Sequence, residues 1–288
     1  MRDGLNEESG VESEAVCAGK AGLAHGVGEW ARKSVNIQDG CPHDCRYCYA
    51  KAMAIRFGRT TPKGWDKGKV RAKAVNARWH KKSTPATSGN DIMFPTSHDI
   101  HPTNLLECTT VLKRMLEAGN RVLIVSKPWL VCVKGLCRDL QAYRAQITFR
   151  FTIGSADDKT LEFWEPGAPR FSERLASLKH ANQKGFTTSV SCEPMLDMKI
   201  DKVVERVRPF ITDSIWLGRA NRLVSTIGFN CPGDTVARNA ARTLLTDQDD
   251  AYLVSLYERF KNDPLIRFKD SIKKVVGVAR PAQKGLDI

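Results

Sequence analysis

The sequence predicts an α/β fold, a partial (β/α)6 TIM-like barrel with a C-terminal helical extension. Three observations carry that prediction. Short runs rich in Val, Ile and Phe alternate with helix-period stretches six times between Ser34 and Gly218. Strand-then-helix order argues for a parallel sheet with helices outside it, and right-handed crossovers curl such units into part of a barrel. The one cysteine-rich loop follows the first of these strands, the end at which a barrel of this kind places its active site.

Residues 1–33 are acidic, then Gly- and Ala-rich, with no period, and read as a mobile N-terminal arm. The core spans 34–221. Ser34 to Gln38 alternates as a short strand, with Asp39-Gly40 as a turn. The cysteine loop comes next, then a helix from Ala50 to Phe57. Residues 58–90 interrupt the rhythm as a basic insertion: Arg59, Lys63, Lys67, Lys69, Arg71, Lys73, Arg78, Lys81 and Lys82 face one acid, Asp66. Trp65, Trp79 and His80 are interleaved. Such a stretch either grips phosphates and stacks on bases, or is a solvated loop whose tryptophans pack back on the body.

The alternation then resumes. Asp91 to Pro95 reads as a strand and Leu105 to Ala118 as a helix, with Thr103 or Asn104 as its N-cap and Gly119 as its stop. Arg121–Ser126, Gln146–Thr152, Phe186–Ser191 and Ser214–Gly218 complete the strands. Trp129–Tyr143, Phe171–Asn182 and Val203–Phe210 are the helices between them. Residues 222–288 form the C-terminal extension, with a helix over Ala251–Lys261 and a closing segment from Ile266 to Val276.

Composition narrows the function classes. The chain has 288 residues, 42% hydrophobic and 27% charged, ordinary values for a globular protein with a sizeable core. Its formal net charge is +13, although the first thirty residues set six acids against two bases. That leaves about +17 on the remainder, an excess that favours polyanionic partners, nucleic acid above all. No apolar run approaches the ~20 residues needed to span a bilayer, and no signal peptide is visible. Nine cysteines, an odd number, fit a reducing, intracellular and cytoplasmic setting.

The densest chemistry lies in Cys41-Pro42-His43-Asp44-Cys45-Arg46-Tyr47-Cys48. Three thiolates on one short loop can hold three irons of a cubane. Iron–sulfur clusters normally take four cysteines, so a set of three leaves one iron open to a small molecule. An open position marks catalytic rather than structural metal chemistry. Two other readings stand beside it. His43 could complete a Cys3His zinc site, although such sites usually draw on two separated pairs and no second C-x-x-C is present. The three cysteines could also be unrelated and buried. Cys108, Cys132 and Cys137 fall on predicted helices and read as core.

The spacing, with Tyr47 before the last cysteine, resembles the signature of the radical S-adenosylmethionine (radical SAM) enzymes. The stretch from Ser34 to Asn221 resembles their spore photoproduct lyase-like branch. The resemblance implies a [4Fe-4S] cluster on Cys41, Cys45 and Cys48, with SAM bound at the open iron. One electron would cleave SAM to methionine and a 5′-deoxyadenosyl radical, which takes hydrogen from a substrate. Ser97, His98 and Asp99, after the second strand, match the region where the branch holds the SAM amino group, although Ile100 and His101 depart from its pattern. Glu165-Pro166 with Arg174 matches a segment of the branch and also reads as a Pro/Gly turn. Trp216 to Asn221 resembles a run beside the adenine, with Gly218 and Asn221 as its pattern residues, and Tyr47 is implied there too. Ser155 and Glu193 occupy places that touch the SAM ribose or amino acid, and are equally readable as strand-end caps.

In photoproduct lyases a thiol returns a hydrogen atom, a role for which Cys192 and Cys231 are candidates here. An isomerase could instead return the hydrogen from 5′-deoxyadenosine. The resemblance also implies a flavodoxin- or ferredoxin-type electron donor. The expected function is a lyase or isomerase acting on a nucleobase in DNA, a modified thymine. It would serve in photoproduct repair or in radical isomerisation during thymidine hypermodification, with DNA drawn in by residues 59–82. Two rivals remain open: a radical SAM enzyme for a peptide or small metabolite, and a zinc-stabilised nucleic-acid-binding module.

Overall fold

Ile, Val and Phe fill the predicted strands because their branched and flat side chains suit a pleated surface covered on both faces. The computed structural model, which describes residues 26–81, 90–280 and 285, bears this out. The chain starts with β1 (Ala31–Ser34). Next come β2 (Gln38–Asp39), α1 (Tyr49–Arg56), β3 (Lys69–Val70) and α2 (Ala72–Val75). The repeating units are β4 (Asn90–Phe94) with α3 (Leu105–Glu117), β5 (Val122–Ser126) with α4 (Leu130–Asp139), and β6 (Ile147–Thr152) with α5 (Asp158–Trp164) and α6 (Phe171–Gln183). They continue through β7 (Thr187–Cys192) with α7 (Ile200–Val207) to β8 (Ile215–Leu217). The C-terminal segment adds α8 (Leu223–Asn230), α9 (Thr235–Asp247), α10 (Asp250–Phe260), β9 (Ile266–Phe268) and α11 (Asp270–Val276).

Seven strands form one sheet in the order β1-β4-β5-β6-β7-β8-β9, every neighbouring pair parallel. It curls into a half-barrel, the partial TIM-like fold the alternation predicts. β2 and β3 make a separate antiparallel ribbon.

Strand side chains alternate between faces. Ile92, Phe94, Val122, Ile124, Phe149 and Phe151 face the helices and form the main core. Met93, Leu123 and Trp216 turn to the concave side and pack with Trp30 and Ala31. Arg150 is buried with them, its guanidinium 4.7 Å from the Trp30 ring and 5.2 Å from the Trp216 ring. Its Nε donates to Ser189 Oγ at 2.9 Å. These residues fill the concave side of the half-barrel, and Trp30 and Met93 also line a cavity there.

Three elements differ from expectation. The first strand is Ala31–Ser34, not Ser34–Gln38. Residues 35–37 stay extended, but after Val35 their backbone groups leave the ladder: Ile37 N–H donates to His98 Nε2 at 3.1 Å, and Arg71 N–H donates to Ile37 O at 2.7 Å. α5 was not foreseen, because a seven-residue helix that buries only Leu161 and Trp164 gives too little period to read. The closing segment contains β9, a seventh parallel strand on β8. The acidic residues 1–25, with Cys17, and Lys82 of the basic stretch lie outside the described residues. No described helix is long and apolar enough to cross a membrane.

Candidate active site

A cavity of about 560 Å³ opens at the C-terminal ends of the strands. Its walls include Val125, Thr152 and Ser191, the last inward-facing residues of β5, β6 and β7. The cysteine loop forms one side, and Cys41, Cys45 and Cys48 all line the space.

The loop is held by contacts from distant elements. Gly40 has φ +79° and lies so close to the basic segment that a Cβ would sit 2.5 Å from Trp65 O, so only glycine fits there. Cys41 N–H donates to Trp65 O at 2.8 Å, and Arg46 N–H to Trp164 O at 2.9 Å. Asp44, also at positive φ, pairs with the buried Lys51 Nζ at 2.6 Å. Asn230 on α8 donates to Arg46 O and Cys48 O at 2.8 and 2.9 Å. Cys48 Sγ caps α1 by accepting from Lys51 N–H at 3.4 Å.

Burial, then the nearby charges of Asp99 and Cys48, push the Cys41 thiol well above its ordinary pKa. Burial does the same to Cys45, against the pull of Lys127. Thiols so placed ionise on metal binding, which releases their protons.

Asp99 is the polar hub of the site. Its carboxylate accepts from Ser126 Oγ at 2.9 Å, Lys127 N–H at 2.6 Å and His43 Nδ1 at 2.9 Å. Lys127 Nζ lies 3.4 Å from it. Burial works against the charged form, but Lys127 and His43 outweigh it and hold the carboxyl well below the usual range. Burial likewise opposes the charge on Lys127, yet Asp99, Cys45, Tyr47 and Glu165 together raise its pKa well above the ordinary lysine value. Lys127 therefore sets a fixed cation beside the thiols.

His43 Nε2 accepts from Trp129 Nε1 at 2.9 Å, which puts the ring proton on Nδ1, facing Asp99. Cys41, His43 and Asp99 bring one donor atom each within 4.8 Å of one another. Both ring nitrogens of His43 are engaged, however, so the Cys3His zinc reading lacks its fourth ligand. Tyr47 donates its hydroxyl to Glu165 Oε1, and Glu165 Oε2 pairs with Arg174 at 2.5 Å with both side chains sealed from solvent. The Glu-Pro segment and Arg174 thus brace Tyr47.

Of the remaining expected site residues, Tyr47, Ser97, His98, Glu193 and Asn221 line the cavity. The Ser97 hydroxyl makes no hydrogen bond among the described residues. Glu193 pairs with the buried Lys269 at 3.5 Å, and burial raises its pKa despite that cation. His98 spends both ring nitrogens on backbone, accepting from Ile37 N–H and lying 3.1 Å from Asp99 O.

Four expected residues do not reach the space. Ser155 is buried, donates to Asp197 and accepts from Asp157 N–H at 2.9 Å, which makes it a turn cap. Gly218 permits a close approach: a Cβ there would meet Lys269 at 2.9 Å and Glu193 at 3.1 Å. Cys192 follows the cavity-lining Ser191, so strand alternation sends its thiol the other way, into the core, where burial raises its pKa. Cys231 is half-buried beside Arg46, outside the cavity. Among the described residues, no thiol other than the loop trio lines the cavity.

Sequence reasoning passed over Lys127 and Tyr49. Lys127 had a readable signal, a cation immediately after a predicted strand. Trp65 packs against Cys41 and Ala54 rather than standing free, and Trp79 packs against the main core. Trp65 is therefore withdrawn from solvent, and Trp79 partly so.

The sequence model of the radical SAM superfamily matches residues 35–207. A curated relative, Uncharacterized protein ORF301 of Acidianus two-tailed virus, is 26% identical over 172 residues, 58% of this chain and 56% of its own. The chain thus spans little more than half the length of that relative. Among solved structures, spore photoproduct lyase complexed with dinucleoside spore photoproduct has a TM-score of 0.51 at 16% identity, over 82% of this chain and 75% of the lyase. Streptococcus suis SuiB bound to S-adenosylmethionine has a TM-score of 0.50 at 12% identity, over 86% and 52%. These structures share the fold. Membership of the superfamily implies a [4Fe-4S] cluster and SAM, and the donor set fits: three thiols on one loop, beside one fixed cation, at the side of one cavity. This chain belongs to the radical SAM superfamily.

Proposed function

We propose that the chain is a radical SAM enzyme acting on a nucleobase in DNA, a modified thymine. Cys41, Cys45 and Cys48 hold the [4Fe-4S] cluster. When bound, the cluster and SAM supply a 5′-deoxyadenosyl radical by one-electron cleavage, with the electron coming from a flavodoxin- or ferredoxin-type donor. Tyr47, Ser97, Glu193 and Asn221 offer their side chains to SAM. Lys127 offsets the negative charge of the thiolates. Asp99 and His98 act through others, Asp99 by fixing Lys127 and His43, and His98 by fixing the backbone at Ile37.

The observation that carries the substrate class is the surface beside the cavity. From Arg56 to Lys81 every Lys and Arg is exposed and the one acid is Asp66, and this segment reaches the cavity wall through Trp65. Such a surface attracts a polyanion, and a base in a duplex must leave the stack to reach a recessed site. The choice of thymine follows the photoproduct lyase whose fold the chain shares. Repair of a photoproduct and rearrangement of a thymine adduct both fit, and the product distinguishes them.

The test is anaerobic reconstitution with iron and sulfide, then SAM and a strong reductant, with 5′-deoxyadenosine as the readout. The expected result is a brown protein whose 5′-deoxyadenosine yield rises with DNA containing modified thymine. Cys45→Ala should abolish both colour and product. A colourless, zinc-loaded protein, or turnover stimulated by peptides and not by DNA, would overturn the proposal.

A further inference from the structure

α1 carries three large apolar side chains on its outer face, four residues apart: Tyr49, Met53 and Phe57 at its C-cap. Their exposures are 53%, 42% and 61%. The opposite face is already packed, with Ala50 and Ala54 against Cys41 and Trp65. Folding therefore gives no reason for this outer stripe, and an exposed apolar stripe of this kind marks an interaction site.

The stripe has a direction. Tyr49 lines the cavity and anchors its hydroxyl on Thr96 O at 2.6 Å. Phe57 lies two turns away, about 12 Å along the helix. There the guanidinium groups of Arg56 and Arg59 lie 5.9 and 5.7 Å from its ring centroid. Both arginines are exposed, and neither makes an ion pair among the described residues. Aromatic platforms with flanking cations are the two components of a single-strand track, in which bases stack and phosphates pair. Of the tryptophans in the basic segment, Trp65 is buried and Trp79 is partly buried against the main core, so neither is as exposed as Phe57.

We propose that the outer face of α1 binds the polynucleotide chain next to the reacting base as an unstacked single strand, with one base on Phe57 and the adjoining phosphates on Arg56 and Arg59. This rests on the nucleic-acid reading above and adds the route by which the strand enters. The cations suit either anionic occupant, but the aromatic ring set between them and the continuity of the stripe with the cavity favour a polynucleotide over the alternative, an acidic electron-donor protein.

The experiment is fluorescence anisotropy of a labelled oligothymidylate with the full chain, across a salt series. Phe57 is exposed, so its substitutions leave the fold intact. Phe57→Ala should weaken binding roughly ten-fold and Phe57→Trp should restore it, as stacking requires. Phe57→Leu should stay weak. Arg56→Gln and Arg59→Gln should each lower the slope of log affinity against log salt by roughly 0.7. A wild-type protein that cleaves SAM but binds no oligonucleotide would overturn the nucleic-acid reading itself. A wild type that binds, with Phe57→Ala or Phe57→Leu binding equally well, would overturn only the track. So would a Phe57→Ala variant that keeps oligonucleotide affinity but loses affinity for a flavodoxin-type donor.

Discussion

His98 sits within hydrogen-bonding distance of two backbone groups and is 5% exposed. Its Nε2 must stay unprotonated to accept from Ile37 N–H. Burial is the main reason its pKa falls from 6.5 to about 4, against the pull of Asp99. The unfolded chain therefore takes up this proton first as pH drops. The stabilisation is complete above about pH 6.5 and is lost progressively towards pH 4, a swing of about 3 kcal/mol. Urea denaturation of the metal-free protein across this range should show that decline, and His98→Gln should flatten it. An equal decline in the variant would mean that other groups carry the acid sensitivity.

At the scale of elements, the site depends on how closely the turn after α5 approaches the cysteine loop. Gly167 N–H donates to His43 O at 3.1 Å, and a Cβ on Gly167 would lie 2.1 Å from Pro42 O. Both contact atoms belong to backbone, so neither can swing aside. Gly167→Ala should cost about 1–3 kcal/mol through overpacking. Its sharper effect should be local: weaker retention of iron under a chelator, with unchanged far-UV circular dichroism. Full iron retention in the variant would show that the loop tolerates displacement. Glu165 on the same turn pairs with Arg174 of α6 and holds Tyr47, so the α5–α6 connection braces the cysteine loop at both His43 and Tyr47.

At the scale of the whole molecule, the C-terminal segment belongs to the site as well as to the sheet. β9 extends the sheet beyond β8, and Lys269, just after it, reaches Glu29 at 2.8 Å and Glu193 at 3.5 Å. α8 supplies Asn230, whose amide satisfies the Arg46 and Cys48 carbonyls. Asn230→Ala leaves those carbonyls without their donor, at a cost of about 1–3 kcal/mol. Thermal denaturation should shift down by several degrees, and the cluster should be lost faster in the variant. An unchanged melting point would show that solvent replaces the amide at no cost.

The sequence alone determined the repeating order and the three-cysteine pattern of the family. Both are local: strand and helix periods are written in neighbouring residues, and three cysteines within eight positions share one loop in any fold. What faces the cavity was decided by tertiary structure. Alternation along a strand sorts side chains into two sets, but only the curl of the sheet says which set is inside. Ser191 therefore lines the site and Cys192 does not. Lys127 gains its role from Asp99, 28 residues away, and the proton of His43 is placed by Trp129, 86 residues away. The basic stretch was legible as charge, yet Trp65 folds inward and Trp79 is partly buried, whereas Tyr49 and Phe57 at the two ends of α1 stay exposed, because burial depends on which faces find partners.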